Sequence, residues 1–273
     1  MTTRRFLVGD VPVGGDAPPL LVAGPCVIEG LQMCLETAHG IKEQAAAAGL
    51  GFVFKSSFDK ANRSSVEAYR GVGLSAGLEI LARVRDEVGV PVLSDIHEPE
   101  QAAPAARVLD CLQIPAFLCR QTDLLVAAGK TGKPVNVKKG QFMAPDEMRN
   151  VVEKLRSVGN EDVLLTERGS SFGYHDLVVD FRSLPIMRAF GVPVLFDGTH
   201  SVMSPGALGD RSGGDREMAG PLCRAAAAVG VDGFFLEIHP DPSQALSDAS
   251  TQLPLKGLAG LLANLNRIRL CSR

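Results

Sequence analysis

The sequence predicts an α/β fold: a closed (β/α)8 TIM barrel with a short N-terminal β-hairpin. Three observations predict it. Short β-branched runs alternate with amphipathic stretches along the whole chain, the pattern of a parallel sheet covered by helices. The alternation gives eight βα units, the number that closes such a sheet into a barrel. The chain has 273 residues, close to the roughly 250 that one barrel needs.

Each element follows from local pattern. Residues 20–26 read as the first strand and 31–49 as a helix ending in an alanine run and Gly49. Residues 51–57 are strand-like and 76–88 helical. Strands at 91–97 and 111–117 precede helices at 99–109 and 121–131. Strand 134–139 leads to helix 145–158, where Pro145 suits a first helical position. Strands 163–169, 193–200 and 233–240 precede helices 183–190, 215–229 and 255–269. Residues 5–13 read as a hairpin capping the barrel bottom. Pro and Gly, 17 and 29 of them, punctuate the chain at short intervals without marking a linker, so residues 1–273 are expected to form one domain. An open doubly wound sheet would want a glycine fingerprint after the first strand. Gly24-Pro25-Cys26 stands there instead, and the run Gly71 to Gly77 has the wrong spacing.

Composition excludes several classes. Apolar residues are 45% and charged residues 22%, which is ordinary globular composition and not that of a disordered chain. A formal net charge of -3 supplies no basic field for nucleic acid or an acidic membrane. Aromatics are 5% and Trp is absent, which argues against base-stacking platforms. Six cysteines without a CxxC pair point to a reducing compartment, not a disulfide scaffold. Residues 1–16 lack a signal-peptide apolar core, and no apolar run approaches membrane-spanning length. The expectation is a soluble cytoplasmic protein with no nucleic acid and no membrane partner.

In a barrel of this kind the active site lies at the C-terminal strand ends. Two groups of residues gather there. The first is cationic: Lys55, Lys60, Arg63, Lys138 and Arg168. Lys138 shares strand parity with Asn136, while apolar Val135 and Val137 take the other parity. An inward-facing lysine is costly unless it meets an anion, so the group points to small polyanions, phosphate esters first. The second group is Cys26, His200, Glu237 and Asp248, on strands that become neighbours when the barrel closes. Thiolate, imidazole and carboxylates form a donor set for a divalent cation; it does not choose among Zn, Fe, Mn and Co. His97 and His239 compete as ligands. Taken singly, a cysteine is a small buried apolar group and a loop lysine a solvated charge; convergence makes the case.

Other features get smaller roles. Ser170-Ser171 lacks a nucleophile elbow and reads as a helix cap. Met203 to Arg216, with Pro205, Gly206, Gly209, Gly213 and Gly214, reads as a long loop or a lid. Lys138 as a Schiff-base nucleophile gives an aldolase alternative, and a silent phosphate-ester sensor is a third reading.

Specific stretches carry a family resemblance. They are Ala23-Gly-Pro-Cys-Val-Ile-Glu29, Lys55-Ser-Ser-Phe-Asp-Lys-Ala-Asn-Arg-Ser-Ser65, Ser94-Asp95, Gln113-Ile-Pro-Ala-Phe117 and Asn136-Val-Lys-Lys139. Glu167-Arg-Gly169, Phe172-Gly-Tyr174, Phe196-Asp-Gly-Thr-His200, Arg211-Ser-Gly-Gly-Asp-Arg216 and Leu246-Ser-Asp-Ala-Ser250 complete the set. Together they closely resemble the 3-deoxy-D-manno-octulosonate 8-phosphate synthases, from about residue 20 to 255.

The resemblance implies a (β/α)8 barrel, usually a homotetramer. The implied reaction condenses phosphoenolpyruvate with D-arabinose 5-phosphate and water and releases phosphate, in lipopolysaccharide precursor synthesis. It makes Lys60, Lys138 and Arg168 the phosphoenolpyruvate cradle, lined by Lys55, Ser57 and Gln113. It makes Asn62, Arg63 and Ser64 the sugar-phosphate grip, with Arg63 reaching a neighbouring subunit's site. The sister family, 3-deoxy-D-arabino-heptulosonate 7-phosphate synthases using erythrose 4-phosphate, typically has Lys-Pro-Arg-Thr where this chain has Lys-Ala-Asn-Arg-Ser. Metal-independent members have Asn at the position of Cys26, so the resemblance is to the metal-dependent subclass, with Cys26, His200, Glu237 and Asp248 as ligands. Catalytic candidates are Lys138, Asp95, Cys26 and His200, with Asp95 or a metal-bound hydroxide as proton acceptor.

Overall fold

The computed structural model describes residues 2–63, 65–207 and 213–271. Eight barrel strands are β1 (Leu20–Gly24), β2 (Gly51–Lys55), β3 (Val92–Asp95), β4 (Cys111–Ile114), β5 (Val135–Lys138), β6 (Val163–Glu167), β7 (Val194–Asp197) and β8 (Gly233–His239). Each pairs in parallel with the next, and β8 pairs with both β7 and β1, which closes the ring. Outside lie α1 (Leu31–Ala47), α2 (Leu74–Val84), α3 (Pro99–Ala106), α4 (Thr122–Lys130), α5 (Met148–Arg156), α6 (Ser183–Arg188), α7 (Ala219–Val229) and α8 (Leu258–Cys271). The expected barrel class is the observed one.

Successive strand residues point to opposite sides, and this splits the apolar residues into two cores. Leu20, Val22, Val53, Leu93, Leu164 and Phe235 fill the barrel interior. Leu21, Phe52, Phe54, Val135, Val137 and Phe196 pack outward against the helices. The hairpin of Phe6–Val8 and Val11–Val13 closes the lower end, with Phe6, Val8 and Val13 packed on the interior set. Its turn requires Gly9, at φ 60°, where a Cβ would also meet Pro91 at 2.6 Å.

The strands are shorter than their sequence pattern at the upper end. β1 stops before Pro25 and β4 before Pro115, because proline offers no N–H to a ladder. Helix starts also shift. Pro145–Glu147 and Arg216–Met218 form 3-10 turns ahead of α5 and α7, and α2 starts at Leu74 and passes into a π turn at Arg85–Gly89. Ser170 and Ser171 do not cap a helix. They lie in the strand Ser170–Gly173, paired antiparallel with Asp176–Val178, and that pairing takes up the backbone a cap would have served. Within the loop from Met203 to Arg216, Met203–Ser204 pairs with Gly213–Gly214. Gly209, Arg211 and Ser64 lie outside the described residues. No helix of the described residues is long and apolar enough to cross a membrane.

Candidate active site

The upper strand ends surround a cavity of about 690 Å3. Lys55, Lys60, Asn62, Arg63, Asp95, Gln113, Lys138, Arg168, His200 and Asp248 all line it. Local geometry explains why. On β5, Val135 and Val137 join the outer core, so Asn136 and Lys138 face inward. Lys55 follows inward Val53 by two residues, and Asp95 follows inward Leu93 by two. β2 and β3 thus carry apolar filling below and a polar residue above on the same face.

Buried cations are costly unless paired, and most here have partners. Lys138 Nζ donates to Asp197 Oδ2 at 2.6 Å and lies 3.5 Å from the Phe235 ring centroid. Burial lowers the Lys138 pKa below the usual lysine range, with the cation Lys55 adding to that and Asp197 opposing it. Lys55 Nζ donates to the Cys26 carbonyl at 3.1 Å and to Glu237 Oε1 at 3.3 Å. Lys60 Nζ is 3.6 Å from the same carboxylate oxygen. Arg63 donates to Ser247 and lies 3.8 Å from Asp248. Arg168 is buried, and burial lowers its pKa. Its Nη1 has no hydrogen-bond partner among the described residues, which leaves a donor in place for an anion.

Asp95 sits among these cations. Its Oδ1 accepts from Gln113 Nε2 at 2.5 Å and its Oδ2 accepts from Ser57. Burial alone would raise its pKa, but Lys55, Lys60, His97 and Lys138 overcome that and hold it well below the usual carboxylate range. A carboxylate so held is a weak base.

The second group also converges. Ligand atoms of Cys26, Glu237 and Asp248 all lie within 4.8 Å of one another. His200 Nε2 is 3.5 Å from Glu237 Oε1 and 3.8 Å from Asp248 Oδ2. His200 Nδ1 hydrogen-bonds Asp197 Oδ2 at 2.8 Å, which turns Nε2 toward the cluster. Glu237 Oε2 is buried without a hydrogen-bond partner among the described residues. Burial, then Asp248 and Glu237, push the Cys26 thiol far up, so the thiolate forms there only beside a compensating positive charge. An orphaned carboxylate oxygen, an oriented imidazole and a thiol among carboxylates fit a divalent cation. His239 is held apart, 3.6 Å from Glu29, and His97 packs edge-on against Phe58.

Two residues at this site carry connections that sequence reading did not assign. Asp197 joins Lys138 to His200, so one carboxylate serves both groups. The signal was its place at the end of β7, three residues before His200. Ser247 contacts both the Cys26 thiol at 2.8 Å and Arg63, and its sequence signal is its place beside Asp248 in the stretch Leu246-Ser-Asp-Ala-Ser250.

Comparison with known proteins shows the family. A model of the DAHP synthetase I family matches residues 2–269. A 2-dehydro-3-deoxyphosphooctonate aldolase of Nitratidesulfovibrio vulgaris (strain DP4) is 61% identical, over 91% of each chain. One of Trichlorobacter lovleyi is 56% identical, over 97% of this chain and 98% of that protein. One of Synechococcus sp. is 58% identical, over 98% of this chain and 95% of that protein. The chain belongs to the DAHP synthetase I family and, within it, to the 2-dehydro-3-deoxyphosphooctonate aldolases, also called 3-deoxy-D-manno-octulosonate 8-phosphate synthases.

Proposed function

We propose that this chain condenses phosphoenolpyruvate with D-arabinose 5-phosphate and water, giving 3-deoxy-D-manno-octulosonate 8-phosphate and phosphate for lipopolysaccharide precursor synthesis. The relatives' shared name supports the reaction. The observation that carries it is one cavity holding Lys55, Lys60, Lys138 and Arg168 beside the Cys26 cluster.

Phosphoenolpyruvate brings a carboxylate and a phosphate, and Lys60, Lys138 and Arg168 would neutralise both. Asn62, Arg63 and Ser64 would grip the sugar phosphate. Holding the enol C3 against the aldehyde carbon is catalysis by positioning. As the carbon–carbon bond forms, C2 gains cationic character, water adds there, and phosphate leaves. Asp95, already accepting two hydrogen bonds, would orient Lys55 and Lys60 through its charge. Cys26, His200, Glu237 and Asp248 would hold a divalent Zn, Fe, Mn or Co ion, whose chemistry is to acidify water or polarise the aldehyde. Asp197 would fix the imidazole and the Lys138 ammonium together.

We further read residues 1–273 as one domain capped by residues 5–13, working as a cytoplasmic homotetramer. Free, buried Cys34, Cys111, Cys119 and Cys223 suit a reducing compartment. A Schiff-base aldolase would need neutral Lys138 as nucleophile, and its ion pair with Asp197 opposes that. The test is phosphate release from phosphoenolpyruvate with each sugar phosphate. Release with arabinose 5-phosphate is expected. Release only with erythrose 4-phosphate, or borohydride trapping of substrate on Lys138 without phosphate release, would reject the reading.

A further inference from the structure

Among the cations a polar layer crosses the barrel interior, and its hydrogen bonds run one way. Thr166 Oγ1 donates to Asn136 Oδ1 at 2.8 Å, and Asn136 Nδ2 donates to Gln113 Oε1 at 2.8 Å. Gln113 Nε2 then donates to Asp95 Oδ1 at 2.5 Å. Ser57 closes on the other carboxylate oxygen. Thr166, Asn136, Gln113 and Asp95 lie on the consecutive strands β6, β5, β4 and β3, and all are buried.

The direction is imposed from one end. An ionised carboxylate only accepts. Gln113 must therefore turn its amide nitrogen to Asp95 and its oxygen to Asn136. Asn136 must repeat that choice, so the group beyond it has to be a donor. Thr166 supplies the donor. Without it, Asn136 Oδ1 is a buried acceptor with nothing to pair with, which drives the amide out of place. Gln113 and Asp95 line the cavity, whereas Thr166 and Asn136 do not. Asp95 in turn lies 3.7 Å from Lys55.

We propose that Thr166 is a positioning residue that never touches substrate: through Asn136 and Gln113 it locks the Gln113 amide and the Asp95 carboxylate at the cavity wall. The functional consequence concerns anions. With the chain intact, Gln113 meets phosphoenolpyruvate with amide N–H. With the chain broken, Asp95 still takes the Gln113 nitrogen, but Asn136 no longer anchors the oxygen, so the amide plane loses its second support and the N–H its fixed aim at the substrate. The idea deepens the function proposed above and rests on it.

The test is a mutant cycle on the whole enzyme. Thr166→Val keeps the shape and removes the hydroxyl. Thr166→Ala removes it without branching, should the valine fail to fold, and Thr166→Ser keeps it. Loss of one buried hydrogen bond is expected to lower kcat/KM for phosphoenolpyruvate about tenfold in the Val and Ala variants, with Ser restoring it. Asp95→Asn removes the group that imposes the direction, so adding Thr166→Val to it should cost less than about twofold more. Running the same cycle on phosphoenolpyruvate affinity by calorimetry reads the chain without the aldehyde, so failure of the condensation reading stays separate. A folded Thr166→Val enzyme with unchanged kcat/KM and affinity, losses that multiply independently with Asp95→Asn, or a Ser variant as impaired as Val would overturn the proposal.

Discussion

At the lower end of the barrel, Phe6, Val8 and Val13 press on Leu20, Val22, Val53 and Leu164. That packed set is apolar, and the buried carboxylate beside it, Asp232 ahead of β8, is paired with Arg188. At the upper end, on β2 to β6, inward positions include Lys55, Asp95, Gln113, Asn136, Lys138 and Thr166. The lower layer is held by area removed from water, a term indifferent to direction. The upper layer is held by paired charges and directed hydrogen bonds, each of which costs stability if its partner is lost. The difference teaches where this chain spends fold stability on function. The bottom should tolerate change in chemistry at the expense of stability alone, and the top should tolerate neither.

The largest effect expected is at the top. Lys138→Met should lower kcat/KM by about a thousandfold, roughly 4 kcal/mol of transition-state stabilisation. Steady-state phosphate release checks it, with circular dichroism to confirm folding. A loss under tenfold would break the contrast by removing the cation pocket from the chemistry.

Phe6→Ala probes the bottom. It should cost about 3 kcal/mol of stability, within the range for deleting a buried phenyl ring, while leaving kcat/KM near the parent's. Urea unfolding and the same assay measure the two quantities. A large kinetic loss with little unfolding effect would show that the plug is coupled to the site.

Cys26→Asn sharpens the comparison within the upper rim. Because metal-independent members of the resembled family carry Asn at this position, this variant is expected to keep phosphate release in chelator, within roughly tenfold of its own metal-loaded rate, about 1.4 kcal/mol. Total loss with intact folding would show that the two side chains are not interchangeable.

The smallest effect is a pH dependence. Asp95 has a folded pKa below its unfolded value of about 3.9. It therefore contributes stability above that value, and loses the contribution as pH falls toward the folded pKa. The melting-temperature advantage of the parent over Asp95→Asn should be steady near neutrality and shrink as pH falls from about 5 toward 2. An advantage that grows on acidification would contradict the assignment.

Much of this was legible before any coordinates. Alternation located the eight strands, and the parity of Asn136 and Lys138 against Val135 and Val137 aimed the lysine inward. Closure of the ring made Cys26, Glu237 and Asp248 neighbours despite more than 200 residues between the first two. What stayed hidden depends on registers between strands. The reach of Lys138 to Asp197, and of Thr166 to Asn136, is fixed by how far each strand is shifted against the next, and no single strand records that shift. Ser170 was misread for a similar reason. Its hydroxyl accepts from buried Lys139 at 3.0 Å, a contact set by how the strand Ser170–Gly173 packs over the end of β5. Ser64 and Arg211 lie outside the described residues.

The central claim is that an anion-binding pocket and a thiolate-bearing ion seat act as one site. The most direct measurement is phosphate release from phosphoenolpyruvate and arabinose 5-phosphate by protein stripped with a chelator and verified metal-free by elemental analysis. The account predicts no release above background until a divalent cation is returned. Full release by the metal-free protein would contradict it.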